Sequence, residues 1–454
     1  MSFRKILVAN RGEIAVRIIR ACKELGIATV QVYSQADADS LPVMLADESV
    51  CVGPGAGKDS YLNVPNIVSA ALITGAEAIH PGYGFLSETA SFAEVCASAG
   101  IKFIGPPVSA IEAMGDKATA RETAKRAGVP TVPGSEGIIA SEAEAIKVAA
   151  GISYPVILKA TAGGGGRGIR VVFSEDELIA ALKVSQSEAA AAFGNADVYI
   201  EKYITSMRHI EVQILADEHG HCVHLGEREC SVQTVRHQKV VEEAPSATLS
   251  HEQRLAIGAA AVKAAQAVGY ANAGTVEFIW TPSGEFYFME MNTRIQVEHP
   301  VTEAVTGIDL VQAQIKIAAG ETLPFTQEDI RWHGHSIECR VTAQDPSRGF
   351  APGAGRLTNV RVPGGLGVRV DTQIYSNYLM PPFYDSNLAK VIVWAETRAE
   401  AIARMRRCLD EFLIEGIPTN IAFLKTILDD PRYRGNDVST AFLPTMMEEL
   451  GMTG

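Results

Sequence analysis

The chain has 454 residues, 47% of them hydrophobic and 20% charged, enough apolar content for a large core and too much for a disordered, collagen-like or coiled-coil protein. At about 150 residues per domain this predicts roughly three units. Forty basic against 53 acidic residues leave a net charge of −13, which argues against wrapping nucleic acid or lying on an anionic membrane, while still allowing a local basic pocket for phosphates.

The first hundred residues alternate strand and helix signals. Lys5–Ala9 reads as a buried strand, Glu13–Leu25 places apolar residues at 14, 18, 21 and 25 in helical spacing, and Thr29–Tyr33 is a second strand. Segments 77–84 and 102–105 read as strand ends followed by turns. This is a βαβ pattern and predicts a parallel sheet. A break falls at Gly105-Pro106-Pro107. A second unit starts near Met114, with a turn at 132–135, a strand at 154–159, helices at 177–192 and 251–268, and strands at 198–204, 209–216, 274–280 and 285–292. A third begins near Trp332, with strands at 336–343, 355–362 and 390–396 and helices from Arg398. The expected division is 1–113, 114–331 with a lid at about 131–204, and 332–447.

The seven cysteines show no CxxC spacing, so neither a disulfide framework nor a zinc knuckle is expected, and a reducing cytosol fits best. The longest stretch without charge, Ser60–Ala76, carries two asparagines and a proline and is not a membrane span; the apolar run near Met1 is too short for a signal peptide. Two nucleotide motifs fail on inspection. In the segment ending Gly55–Ser60, Val52 stands where a P-loop needs its first glycine and Asp59 where it needs Ser or Thr. The turn Ala9–Glu13 lacks the glycines of a dinucleotide fold, which leaves Asp37 a weak ribose acid and a dehydrogenase a minor alternative.

Three segments carry the chemistry. Residues 159–168, Lys-Ala-Thr-Ala-Gly-Gly-Gly-Gly-Arg-Gly, follow an apolar strand; such glycines cannot pack a core and read as a flap whose N–H groups close over phosphates, against the blander reading of a surface loop. Residues 290–298 alternate, with Glu290, Asn292, Arg294, Gln296 and Glu298 on one face of an extended chain. A four-residue hairpin loop at 281–284 would pair Trp280 with Glu285 and Glu277 with Phe288, making Glu290 a diagonal neighbour of Glu277, so that two inward carboxylates invite a hard cation, Mg²⁺ or Mn²⁺. The third segment, 236–243, sets Arg236, His237 and Lys239 beside Glu242 and Glu243: an anion pocket, or, more often for such a run, a solvated loop.

With these segments in view, the chain resembles the ATP-grasp fold and, more closely, the biotin carboxylase family. The likeness is carried by NRGEIA (10–15), HPGYGFLSE (80–88), MGDK (114–117), RHQKVVEEAP (236–245), MNTRIQVEHPVTE (291–303) and IECR (337–340), and runs from about Lys5 to Leu443. It implies an α/β fold with an N-terminal parallel-sheet domain, an ATP-grasp domain with a mobile lid and a C-terminal α+β domain. It implies a ligase that uses ATP and bicarbonate, via carboxyphosphate, to carboxylate biotin on a carrier protein. Lys117, Lys159, Gly163, Gly164, Gly165 and Gly166 would then hold ATP phosphates, Glu201, Lys202 and Ile204 the adenine, and His209, Gln233 and His237 the ribose or phosphates. Glu277 and Glu290, with Asn292 near, would bind Mg²⁺ or Mn²⁺, two ions in all. Lys239, Arg294, Gln296 and the Val297 backbone would hold bicarbonate, Glu298 would deprotonate it, Arg340 would stabilise the biotin enolate oxygen, and Tyr83 would border the biotin pocket. Departures from the family pattern are one extra residue and one missing arginine between Gln233 and Lys239, Ala162 in place of a glycine, and a hairpin loop near Pro282 one residue longer. A cytoplasmic homodimer with Arg20, Glu24 and Arg369 at its interface is expected by resemblance. No Met-Lys-Met attachment site occurs, so the carrier and carboxyltransferase are expected on other chains. The resemblance implies acetyl-CoA as final acceptor, with propionyl-CoA, pyruvate or another acid as alternatives. A regulatory module that keeps only the fold is disfavoured by the intact Lys239, Arg294, Glu298 and Arg340.

Overall fold

The computed structural model describes residues 3–160, 169–193 and 195–452. Its N-terminal part is a five-stranded parallel sheet, β1 (Lys5–Val8), β2 (Ala28–Ser34), β3 (Glu48–Gly53), β4 (Ala78–His80) and β5 (Lys102–Phe103), in the order β3-β2-β1-β4-β5. Helices cover both faces, so β1 is apolar and buried from Ile6 onward. The expected helix is found at Gly12–Glu24. β3 escaped the sequence reading because it is an edge strand, largely exposed, whose apolar run is only the three residues Val50, Cys51 and Val52. Both nucleotide decoys resolve as structure: Gly55 accepts a hydrogen bond at 2.5 Å from the Tyr384 hydroxyl, and Asp37 is buried and bound by Arg11 at 2.6 and 2.8 Å and by the Tyr61 hydroxyl at 2.6 Å.

The lid is a small antiparallel sheet of β6 (Val156–Ala160), β7 (Ile169–Val172) and β8 (Val198–Lys202), with β6 in the middle, backed by helices Glu142–Ile152 and Glu175–Phe193. The main body is one antiparallel sheet of eight strands. Its order is β13 (Phe286–Asn292), β12 (Asn272–Trp280), β9 (Arg208–Ala216), β10 (Cys222–Gln233), β11 (Lys239–Ala244), β14 (His335–Thr342), then Asn387–Ala395 and Val368–Thr372. The sheet runs without a gap from the second unit of the chain into the third. The strand expected at 355–362 is broken into Gly355–Arg356 and Asn359–Arg361, because Leu357 between them turns into the core.

Alternation gives this sheet two unlike faces. Ile210, Val212, Ile214, Val276 and Phe278 pack under the His251–Gln266 helix, and Val241, Ile337, Cys339, Val341, Val391 and Val393 build the C-terminal core. The opposite face carries Glu211, Gln213, Arg228, Glu242, Glu277, Glu338, Arg340 and Lys390, all buried or nearly so. β10 went unread for this reason: its twelve residues include Glu227, Arg228 and Glu229, a composition that mimics a solvated segment. Within the 236–243 run, whose commoner reading is a solvated loop, strand β11 begins at Lys239, and Glu242 and Glu243 are buried.

The β12–β13 hairpin corrects the expected register. The turn spans Thr281 to Glu285, with the Thr281 N–H donating to Glu285 O at 2.9 Å, so Trp280 faces Phe286 rather than Glu285. That one-residue shift would put Glu277 and Glu290 on opposite faces. A bulge beside Phe278 absorbs one residue and returns Glu277 to a position directly opposite Glu290.

Buried histidines make this fold sensitive to acid. Burial holds the imidazolium pKa of His80 down at about 3 and that of His224 at about 4. A depressed pKa means that the unfolded chain takes the proton first, so stability falls as pH drops below about 6.5. His80→Gln should remove about 2 kcal/mol of the stability loss between pH 7 and pH 5, measured as the pH dependence of urea unfolding.

Candidate functional site

Register places a row of charge across the polar face of the main sheet. Glu290 faces Glu277 on β12, Glu277 faces Glu211 on β9, and Glu211 faces Arg228 on β10. Arg228 is wholly buried and engages every guanidinium nitrogen: Nε on Glu211 at 2.5 Å, Nη1 on Gln213 at 2.7 Å and Thr302 at 2.9 Å, Nη2 on Thr275 at 3.0 Å. From β11 the Lys239 ammonium enters between three carboxylates, 2.7 Å from Glu211, 3.2 Å from Glu277 and 2.7 Å from Glu298. Burial works against the lysine's charge, but Glu211, Glu277 and Glu298 outweigh it and raise its pKa well above the usual value. Glu277 answers in kind: burial pushes its carboxyl up, and Lys239 and His209 pull it below the ordinary range.

Glu298 is the second node. It lies 1% exposed at the start of the His299–Thr306 helix and bonds Lys239 on one oxygen and Arg340 Nη2, at 2.9 Å, on the other. Burial opposes its charge; Lys239, Arg340 and Arg228 overcome that and hold it well below the normal carboxylate pKa. Arg340 is itself steered by Glu242, which accepts from Nε at 2.6 Å. That position perturbs Glu242 in turn: burial, with Glu298 adding repulsion, lifts its carboxyl to about 7 against the pull of Arg340. The Cys230 thiol lies 3.9 Å from Glu298 and is pushed far up by burial, which makes it a buried, unreactive neighbour.

The 290–298 segment is not extended throughout. β13 ends at Asn292 and the chain then bends, so the five polar residues do not share one strand face; Asn292, Arg294 and Gln296 meet through hydrogen bonds, with Glu290 and Glu298 before and after them. Asn292 Nδ2 donates to Glu277 at 2.9 Å and Gln296 Nε2 to the same oxygen at 3.1 Å. Arg294 donates to Asn292 at 3.0 Å, Gln296 at 2.6 Å and Glu88 at 2.9 Å. The Val297 carbonyl takes a hydrogen bond from Lys390 at 2.8 Å. Lys239, Arg294, Gln296, Val297, Glu298 and Arg340, singled out from sequence, therefore converge on one site.

The remaining sequence candidates surround that site unequally. Lys117 lies 3.3 Å from Glu290 and is largely exposed. Lys159 of β6 bonds Glu201 of β8 at 2.6 Å, and Arg121 holds the other oxygen of this buried Glu201 at 3.1 Å. Lys202 turns its ammonium to the carbonyls of Ser153 and Tyr154 at 3.1 and 3.0 Å, and Ile204 is half-buried just beyond the strand. His209 Nε2 stands 3.1 Å from Glu277. Gln233 is buried opposite Lys239, whereas His237 is exposed at the tip of the β10–β11 hairpin with φ of 60°. Tyr83 donates its hydroxyl to Glu13. Gly163, Gly164, Gly165 and Gly166, with Ala162 and Arg167, lie outside the described residues. Arg20, Glu24 and Arg369 line an open groove of about 400 Å³ with Arg17, Glu303 and Asp309, away from Glu298.

Sequence reasoning missed Glu211, Arg228 and Glu242. The signal for Glu211 was available: His209, Glu211 and Gln213 alternate within the apolar strand 209–216, a polar stripe in a strand that is otherwise core. The donor set fits a divalent metal, since the ligand atoms of His209, Glu211 and Glu277 lie within 4.8 Å of one another, and Glu290 and Asn292 add hard oxygens from the next strand. Paired carboxylates of this kind suit Mg²⁺ held jointly with phosphate oxygens.

This arrangement can be compared with known proteins. Residues 2–111 match the family model for the biotin carboxylase N-terminal domain, 116–326 that for the carbamoyl-phosphate synthase L chain ATP-binding domain, and 338–445 that for the biotin carboxylase C-terminal domain. Biotin carboxylase 1 of Bacillus subtilis is 59% identical, over 97% of this chain and 98% of its own. The chain belongs to the biotin carboxylase family. One of the pyruvate carboxylase subunits of Methanothermobacter thermautotrophicus is 55% identical over 97% of this chain and 89% of its own. The biotin carboxylase domain dimer of Hydrogenobacter thermophilus 2-oxoglutarate carboxylase, solved with MgADP, ADP and bicarbonate, superposes with a TM-score of 0.90 at 52% identity and 98% coverage of both chains. The protein is thus an ATP-dependent ligase, the biotin carboxylase component of a biotin-dependent carboxylase.

Arg228→Met should destabilise the fold by about 3–5 kcal/mol, because it leaves Glu211 buried with one cation fewer. Chemical denaturation checks this.

Proposed function

We propose that this chain performs the first half-reaction of acetyl-CoA carboxylase: ATP activates bicarbonate to carboxyphosphate, and the carboxyl group passes to biotin on a separate carrier protein. The observation that carries the site assignment is the double grip on Glu298 by Lys239 and Arg340, with Arg294 and Gln296 at hand. Three anions must meet here, so cations are needed where the protein as a whole is acidic.

In this reading Lys239, Arg294, Gln296 and the Val297 backbone hold bicarbonate. Glu298 takes its proton; its carboxyl is ionised and ready, and the nearby cations that make it a weak base also fix its geometry. Lys117, Lys159 and the Gly163–Gly166 backbone take the ATP phosphates, the hinge at Glu201, Lys202 and Ile204 the adenine, and His209, Gln233 and His237 the ribose side. Glu277 and Glu290, with Asn292 and Glu211, hold Mg²⁺ or Mn²⁺, which when bound supplies charge neutralisation on the phosphates. Arg340, prepositioned by Glu242, steadies the developing negative charge on the biotin ureido oxygen, and Tyr83 borders the pocket. The work divides among domains at 1–113, 114–331 and 332–447. We place the protein in the cytoplasm, in fatty acid synthesis, as a homodimer through Arg20, Glu24 and Arg369. Support comes from the seven free cysteines, from the charged groove those three residues line, and from the dimeric 2-oxoglutarate carboxylase relative. Among the described residues no helix is long and apolar enough to cross a membrane. The relatives from pyruvate and 2-oxoglutarate carboxylases favour a second reading, in which the final acceptor is a keto acid; the carboxyltransferase that co-purifies with the chain decides between them.

ATP hydrolysis should require Mg²⁺ and bicarbonate and rise with free biotin, followed as phosphate release; equal turnover in bicarbonate-free buffer would favour a different ATP-grasp ligase. Glu298→Gln keeps shape and removes the base, so bicarbonate-dependent turnover should fall about 10²–10⁴-fold while ATP affinity holds. Arg294→Ala should instead raise the bicarbonate KM. Near-normal turnover of Glu298→Gln would reduce that residue to a structural partner of Arg340.

A further inference from the structure

Lys390 has no place in the mechanism above, yet it is the most thoroughly buried lysine at the site. It projects from the strand Asn387–Ala395 with no exposed side-chain surface, opposite Arg340 of β14 and Asp371 of the neighbouring strand. Its ammonium donates to the Val297 carbonyl at 2.8 Å and pairs with Glu13 Oε1 at 3.0 Å. Glu13 comes from the N-terminal helix and also accepts from the Tyr83 hydroxyl, and the Tyr83 ring centroid is 6.0 Å from the ammonium. Burying an ammonium costs several kcal/mol before its partners act. A neutral main-chain carbonyl offsets little of that cost, so its place beside the ammonium points to a need for its orientation.

The carbonyl concerned belongs to the peptide unit between Val297 and Glu298. Fixing it fixes the direction in which the Glu298 side chain leaves the backbone. On the other side, Gln296 is tied to Glu277 and Arg294. The turn that carries Glu298 is thus pinned from one end by the main sheet and from the other by a lysine whose counter-charge belongs to the N-terminal unit.

We infer that Lys390 is a positioning residue for the bicarbonate end of the site: with Glu13 it sets the Val297–Glu298 peptide, and so places Glu298 against the bicarbonate proton. This rests on the function proposed above. It makes no contact with substrate or nucleotide part of the claim, so its signature is selective for bicarbonate.

The test is steady-state ATP hydrolysis by the full chain with bicarbonate and ATP varied in turn. The wild-type protein must first show bicarbonate-dependent turnover; if it does not, the functional reading fails, not this one. Lys390→Met alone would strand Glu13, so the principal variant is the pair Glu13→Gln with Lys390→Met, which removes both charges and keeps volume. The pair should raise the bicarbonate KM or lower kcat by about tenfold or more while the ATP KM stays within about twofold. Unchanged constants, or an equal rise in both KM values, would overturn the inference. Should the pair fail to fold, Glu13→Gln alone decides: it removes the counter-charge that holds the Lys390 ammonium, so the bicarbonate KM should rise about threefold or more while the ATP KM stays within about twofold, and an unchanged bicarbonate KM would overturn the inference.

Discussion

One ammonium group organises this site. Lys239 stands 2.7–3.2 Å from three buried glutamates that belong to β9, β12 and the start of the His299–Thr306 helix. Without it, Glu211, Glu277 and Glu298 would repel one another in a medium that screens poorly. With it Glu277 and Glu298 are held ionised against their burial, which is the state that a metal and a proton acceptor both require. Everything else in the polar face follows from keeping that arrangement in balance: Arg228 neutralises Glu211 from below, Arg340 takes the second oxygen of Glu298, and Asn292 and Gln296 saturate Glu277.

The polar face exists because two parts of the chain cover it. Antiparallel alternation puts apolar side chains toward the His251–Gln266 helix and the C-terminal core, and this leaves the opposite side chains with nowhere to go but inward, under the 293–306 segment and the N-terminal unit. A charged interior of this kind contributes little net stability. It fixes geometry instead. Arg17 with Glu303, Lys390 with Glu13 and Arg294 with Glu88 each join residues far apart in sequence, so the site is assembled only when the units are docked.

What the sequence disclosed follows from the same physics. The parallel sheet, the long helices and most strands were legible because their apolar residues keep period 2 or 3.6. The 290–298 ladder and Lys239 were legible because polar residues there interrupt apolar surroundings. β10 was not, because a strand that buries Glu227, Arg228 and Glu229 carries the composition of a loop, and its partners lie elsewhere in the sequence. Glu242 was hidden within a run whose average resembles solvated charge. The Glu277–Glu290 pairing was reached by way of a wrong hairpin register; the bulge that restores it depends on three-dimensional pairing, which no local pattern encodes.

The unequal ionisation of the buried carboxylates has a consequence for anionic substrates. Glu298 and Glu277 are held low by the cations beside them, while Glu242 is lifted to about 7, and Glu338, its cross-strand partner on β14, is pushed well above the ordinary range by burial despite Lys390. The same low-dielectric interior thus keeps some carboxylates charged and shifts others toward the protonated form, according to how far the cations beside each offset its burial. If all were ionised, the polar face would be strongly negative and would repel the anions that this ligase must gather. The raised pKa values of the glutamates behind Arg340 lower the negative charge of that face and leave more of the charge of Arg340 and Lys239 for what enters the site. The fold therefore reconciles an acidic protein with an anion-binding centre through where it withholds solvent, and not through an excess of basic residues.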